Sequence, residues 1–195
     1  EHQNLKSFPY REMKDIAFHI TDISENCIRA GASRMRIELS FERDLLTLVI
    51  ADNGCGMSPE TIRKATDPFY TTRTTRKVGL GLPFLIQNAQ QSGGDVLIDS
   101  KVGEGTTVTA TFRTDSIDCP PTGDIAETLM QIIAGNPAIN TEAVFRNGAD
   151  EFRVTTDDLK EIMDGIPLGH PRVAKMIKEL LADNFKGIFG RSLIL

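Results

Sequence analysis

The chain has no tryptophan and only two tyrosines, Tyr10 and Tyr70, among 195 residues. Aromatic platforms on which bases could stack are therefore scarce. The basic surplus of a protein that tracks a nucleic-acid backbone is also missing, since the net charge is -5 at pH 7. The three cysteines, Cys27, Cys55 and Cys119, are odd in number and show no Cys-x-x-Cys spacing, which argues against a disulfide framework or a zinc site. No apolar run approaches the ~20 residues needed to cross a bilayer. Glu1-His2-Gln3-Asn4 does not have the basic-then-apolar character of a signal peptide. The expectation is a soluble, cytoplasmic protein with no nucleic-acid partner and no membrane partner.

Composition is otherwise that of an ordinary globular chain, long enough for one domain with an extension. Over 10–31, Met13, Ile16, Ala17, Ile20, Ile23, Cys27 and Ile28 recur at three- and four-residue steps, which predicts an amphipathic helix stopped by Gly31. Met35, Ile37, Leu39 and Phe41 alternate with polar residues as in a half-buried strand, and 45–51 is a more continuously apolar strand. Ser58-Pro59-Glu60 starts a short helix that Asp67-Pro68 ends. A further helix begins near Leu80 and stops at Gly93-Gly94, and strands follow at 95–100 and 106–112. Pro120-Pro121 marks 113–123 as a linker. Beyond it the pattern predicts a helix over 125–134, a hairpin around Asn147-Gly148-Ala149-Asp150, and helices over 156–164 and 171–181.

Three places carry chemistry. Asp22, Asn26 and Arg29 fall on one helix face and offer a carboxylate, an amide oxygen and a guanidinium in line, a set suited to a magnesium polyphosphate or to an ordinary solvated surface. Asp52 ends a buried strand, where a carboxylate needs a partner and can accept a hydrogen bond from an exocyclic amine. Gly54 and Gly56 beside it leave backbone bare for a flat ring, although Asp-Asn-Gly is also a common turn signal. Gly79-Leu80-Gly81-Leu82 opens a helix and presents free N–H groups to phosphate. A dinucleotide fingerprint is excluded there, because a loop precedes the glycines and Phe84 occupies the third glycine position.

Asp52-Asn53-Gly54-Cys55-Gly56-Met57, Asp67-Pro68-Phe69-Tyr70-Thr71-Thr72 and Gly79-Leu80-Gly81-Leu82 resemble successive boxes of the GHKL ATPases, which include DNA gyrase, Hsp90, bacterial histidine kinases and MutL proteins. Residues 23–32 look like the N box, and 92–94 with 103–107 resemble the closing strands of a histidine-kinase catalytic domain. The resemblance implies an α+β fold, a two-layer sandwich with helices over one face of a mixed sheet. It covers about 14–112 and so places the ATP-binding domain at 1–112, while the composition shift makes 113–123 a linker and 124–195 a small α/β extension. It further implies ATP and Mg²⁺ as ligands. Asp52 would receive the adenine amine with Thr107 assisting through a water, and Asn26 would hold the metal. Gly79 and Gly81 would let a lid close, while Arg29, Arg73 or Lys77 offset phosphate charge. Gly54, Gly56, Met57, Leu80 and Leu82 complete the implied nucleotide contacts.

Two departures from that pattern bear on activity. Hydrolysing members of the superfamily carry a glutamate four residues before the N-box asparagine, and here Asp22 stands there. It is either a general base or a carboxylate that orders Asn26 or metal-bound water. No histidine has the phosphoacceptor pattern: His2 and His170 do not fit it, and His19 falls within the N-box helix as a packing residue. The expectation is ATP-dependent signalling, by phosphotransfer to a protein partner or by slow hydrolysis. The alternative is a non-catalytic sensor of ATP and ADP within a complex. The segment 116–124 faintly resembles stand-alone ATP-binding proteins of redox-enzyme complexes such as hydrogenases. The extension could dock a partner, dimerise the chain or lengthen the sheet.

Overall fold

The computed structural model describes residues 15–67 and 81–190. In order these form α1 (Ile16–Arg29), β1 (Arg34–Glu42), β2 (Leu45–Asp52), α2 (Pro59–Thr66), α3 (Gly81–Gln91), β3 (Val96–Lys101), β4 (Gly105–Arg113), α4 (Ile125–Gly135), β5 (Asn140–Asn147), β6 (Asp150–Thr155), α5 (Thr156–Ile162) and α6 (Pro171–Phe189). The six strands make one mixed sheet of order β3-β4-β2-β1-β5-β6. All neighbours are antiparallel except β1 and β5, which run parallel with Arg34 opposite Asn140 and Ile37 opposite Ala143.

Period-two alternation puts one face of every strand inward. Ile37, Ile50 and Val108 line up across β1, β2 and β4, as do Leu39, Leu48 and Ala110, and Phe41, Leu46 and Phe112. The helices lie on that face, where Ile16, Ile20 and Ile23 of α1, Leu85 and Ala89 of α3, and Leu129 and Ile133 of α4 are buried in one core. Each fully buried Leu or Ile contributes about 1.5–3 kcal/mol of transfer free energy. The result is the two-layer α+β sandwich expected, with β5 and β6 continuing the same sheet.

The helix predicted over 10–31 begins, within the described residues, at Ile16. Asp15 caps it in an extended conformation, accepting from Phe18 N–H at 2.7 Å. Two more of its free N–H groups, those of Ile16 and Ala17, donate to the carbonyls of Pro121 and Thr122 at 2.9 and 3.0 Å, so the segment over 113–123 completes the start of α1. At the other end of the chain α6 runs eight residues past the predicted stop at Leu181. Phe185 and Phe189 explain the difference: both pack on Phe145 of β5, with ring centroids 5.3 and 6.0 Å away.

Candidate functional site

The site gathers where β2 ends, α1 passes and α3 begins. β2 carries Leu46, Leu48 and Ile50 inward, and the next inward position is Asp52, half-buried at the edge of the core. Its Oδ1 accepts the Gly54 N–H at 2.7 Å, which orients the carboxylate. Cys27 of α1 is buried beside it, and burial first, then the Asp52 charge, push the thiol pKa up, so the sulfur stays protonated.

Asn53 holds the turn, a role the sequence pattern does not disclose. Its Oδ1 accepts from the Ser33 and Arg34 N–H groups at 3.0 and 2.8 Å, and its Nδ2 donates to Ser33 Oγ at 2.9 Å. Cys55 N–H donates to the Ala30 carbonyl at the end of α1, and the Cys55 carbonyl accepts from Gly103 N–H. The glycines serve this packing. A Cβ at Gly54 would lie 2.7 Å from that of Ala30, and one at Gly56, where φ is +64°, would lie 2.0 Å from the Lys101 carbonyl oxygen. The space their missing side chains vacate is thus filled by the protein's own atoms, a different use from the bare floor expected of them.

Register also moves the threonine. β2–β4 pairing sets Thr106 opposite Asp52 and Thr107 opposite Ala51, so Thr106 shares the helix-facing side with the acid and Thr107 lies on the outer face. Ser100 of β3 pairs with Thr106, its Oγ 2.8 Å from Thr106 Oγ1, and accepts the Met57 N–H at 2.8 Å. Ser100 and Thr106 thereby pin the segment after the glycine turn.

On α1 the expected trio does share a face. Arg29 donates to Asn26 Oδ1 at 2.7 Å. Asp22 meets the first residue of α3, for a Cβ at Gly81 would fall 1.4 Å from Asp22 Oδ2. Burial raises the Asp22 pKa above the usual carboxylate value, Glu25 adds to the rise, and Arg29 opposes it. One turn earlier, fully buried His19 lies with Nε2 2.9 Å from Asn88 Nδ2, fastening α1 to α3. Burial lowers its pKa to about 4 against a smaller opposing pull from Asp15, so it is neutral at physiological pH. Leu82 is buried in the core at the start of α3. Arg73, Lys77, Gly79 and Leu80 lie outside the described residues.

The donor set fits a nucleotide better than a free metal. Among the described residues no group of three His, Cys, Asp or Glu side chains could hold an ion alone. A single amide oxygen at Asn26 suits Mg²⁺ that arrives with phosphate ligands and keeps its water. No helix of the described residues is long and apolar enough to cross a membrane. Cys119, half-buried, has its thiol pKa raised by burial, which disfavours the thiolate needed for redox chemistry.

Residues 14–116 match the family model described as histidine kinase-, DNA gyrase B-, and HSP90-like ATPase. The chain is 29% identical over 119 residues to a probable C4-dicarboxylate sensor kinase of Bacillus subtilis (strain 168), covering 57% of this chain and 22% of that protein. It is 32% identical over 106 residues to sensor histidine kinase WalK of the same organism, covering 48% and 17%. For sensor histidine kinase YxdK, also of that organism, the identity is 30% over 112 residues, covering 54% and 34%. The chain therefore spans about a third or less of the length of these relatives. Among solved structures it is similar to the N-terminal domain of a DNA repair protein, with a TM-score of 0.53 at 12% identity, covering 79% of this chain and 58% of that one. That likeness is one of fold.

Proposed function

The chain belongs to the histidine kinase-, DNA gyrase B-, and HSP90-like ATPase family, and from that premise we propose a magnesium-dependent ATP-binding protein that uses the nucleotide for signalling, by slow hydrolysis or by phosphate transfer to a protein partner. In this reading the adenine amine donates to Asp52 Oδ2, with Thr106 beside it. The phosphates run along α1 toward the N-terminus of α3, where backbone N–H groups and the helix dipole favour negative charge. Asn26 Oδ1 would hold Mg²⁺, which would supply charge neutralisation on the phosphates, and Arg29, now on Asn26, is within reach of a charge-assisted contact to a phosphate oxygen.

The observation that carries a catalytic role is the setting of Asp22. Its carboxylate sits one turn before Asn26, against the head of α3, with a pKa raised mainly by burial. A raised pKa makes a carboxylate a better proton acceptor near neutral pH, which suits a base for an attacking water. The names of the relatives, sensor kinases, support signalling as the use. The sensor reading draws on Arg29, whose bond to Asn26 Oδ1 places a cation where a metal would be held, so that nucleotide binding would be coupled to a local rearrangement.

Single-turnover assays with γ-labelled ATP on the wild type and Asp22→Asn test the proposal. Loss of about 10²-fold in phosphate release with ATP affinity retained supports Asp22 as base. Unchanged release removes Asp22 from the chemistry. Label appearing on a partner supports transfer, and binding with neither release nor transfer leaves the sensor.

A further inference from the structure

The nucleotide site uses the helix-bearing face of the sheet, and the opposite face carries a charged ladder. Arg36 donates to Glu38 and Glu142, Arg153 donates to Glu142, and Arg146 pairs with Glu38 and Glu151. At one end of this face a cavity of about 360 Å³ opens between the starts of β1 and β5 and the ends of β2 and β6. We infer that this cavity is a second ligand site, taking a small organic oxyanion, carboxylate or phosphate, between Arg34 and Arg153.

Three arginines, Arg34, Arg36 and Arg153, line it against two acidic residues, Asp52 and Glu142, in a protein whose net charge is negative. Their hydrogen bonds are unequally used. Arg36 gives Nε, Nη1 and Nη2 to Glu38 and Glu142. Arg153 gives only Nε, and its terminal N–H groups have no hydrogen-bond partner among the described residues. The exposed Arg34 side chain likewise has none among them. Glu142 spends one oxygen on each neighbouring arginine, which fixes Arg153 in place and leaves that carboxylate little capacity to engage anything else. Unused guanidinium N–H groups from two residues that border one small cavity are donors suited to an oxyanion.

The cavity is composite. Arg34, Arg36 and Asn53 come from the part that matches the ATPase family, whereas Asn140, Glu142 and Arg153 come from β5 and β6, beyond it. The parallel pairing of β1 with β5 creates the site by placing Arg34 beside Asn140 and Arg36 beside Glu142. Asn53 joins it to the nucleotide turn, since it accepts the Arg34 N–H and directly follows Asp52. Asp52 itself borders the cavity, so the two ligands would meet at one strand end.

Amide NMR titrations with succinate and, separately, with inorganic phosphate test the site on the full chain without nucleotide, and affinity for a non-hydrolysable ATP analogue is measured separately. Expected are saturable shifts at Arg34, Asn140 and Arg153 for at least one anion, the tighter one naming the class. Arg34→Ala and Arg153→Ala each weaken that binding by about tenfold or more, while analogue affinity stays unchanged. Should Arg153→Ala fold poorly, Arg34→Ala carries the test, because the Arg34 side chain makes no hydrogen bond or ion pair among the described residues. Failure of both anions to saturate, equal binding by Arg34→Ala, or shifts confined to α1 and α3 overturns the inference. Failure of the analogue to bind counts against the nucleotide reading alone.

Discussion

In residues 15–113 a Cβ added at Gly54, Gly56, Gly81, Gly94 or Gly105 would come within 3 Å of other protein atoms, though Gly31 and Gly103 stand open, whereas from 124 on one at Gly135, Gly148, Gly165, Gly187 or Gly190 would meet nothing within 4 Å and one at Gly169 only a carbonyl at 3.6 Å. Both stretches belong to one sheet and one core, yet they are assembled differently. The first brings chain segments into close contact around Asp52 and Asp22, so a side chain has no room at those glycines. The second has no such close approach from 124 on and is joined by caps and ion pairs. Thr155 and Asp158 form a reciprocal capping box at α5, Asp124 caps α4, and Lys178 of α6 pairs with Asp124 and Glu127 of α4. A nucleotide site needs fixed backbone at close quarters, and an extension that lengthens a sheet does not.

Gly56→Ala should break this contrast most severely. The new methyl group would lie 2.0 Å from the Lys101 carbonyl oxygen at a φ of +64°, so about 3 kcal/mol or more of stability should be lost in urea unfolding. A loss under about 1 kcal/mol would mean the turn is looser than described.

His19 comes next. Its pKa of about 4 when folded lies below the ordinary 6.5, so the unfolded chain takes up the proton first as pH falls. The stability it contributes is fully present above about pH 6.5 and is lost progressively toward pH 4, to the extent of roughly 3 kcal/mol. His19→Gln should flatten that part of the pH–stability curve, and an unchanged curve would place the acid sensitivity elsewhere.

Two aspartates sharpen the comparison. Asp52→Ala should weaken ATP binding by about 2 kcal/mol with the fold intact, the worth of a hydrogen bond to a charged acceptor. Asp124→Ala should lower stability by about 1 kcal/mol through the lost cap and leave nucleotide affinity alone. Calorimetric titration and thermal melts separate the two effects, and tight ATP binding by Asp52→Ala would refute the assignment of that acid.

The smallest effect has the opposite sign. Gly187 lies inside α6 with open space around it, so Gly187→Ala should stabilise the protein by about 0.5–1 kcal/mol. A destabilised variant would show that the extension too depends on close approach.

Much of the site was legible because its signals are short-range. Asp22, Asn26 and Arg29 meet through helical spacing alone, and Asp52 follows an apolar strand directly. The choice between Thr106 and Thr107 was not legible, since one residue of register exchanges the faces of a strand and only pairing with β2 sets that register. Asn53 reads as a turn residue, yet its amide works across twenty positions to hold Ser33. His19 was legible as a packing residue but not as the partner of Asn88, sixty-nine residues away.

The order of helices and strands, the apolar face of each and the turn beside Asp52 follow from the amino-acid sequence by itself, because propensity, capping and periodicity act over a few residues. Tertiary structure alone decided that β5 lies parallel to β1, that Arg36 meets Glu142 across 106 positions, and that the glycines at the site yield their space to the protein's own atoms. Those outcomes depend on how remote strands align once the shared core closes, and no local pattern encodes that alignment.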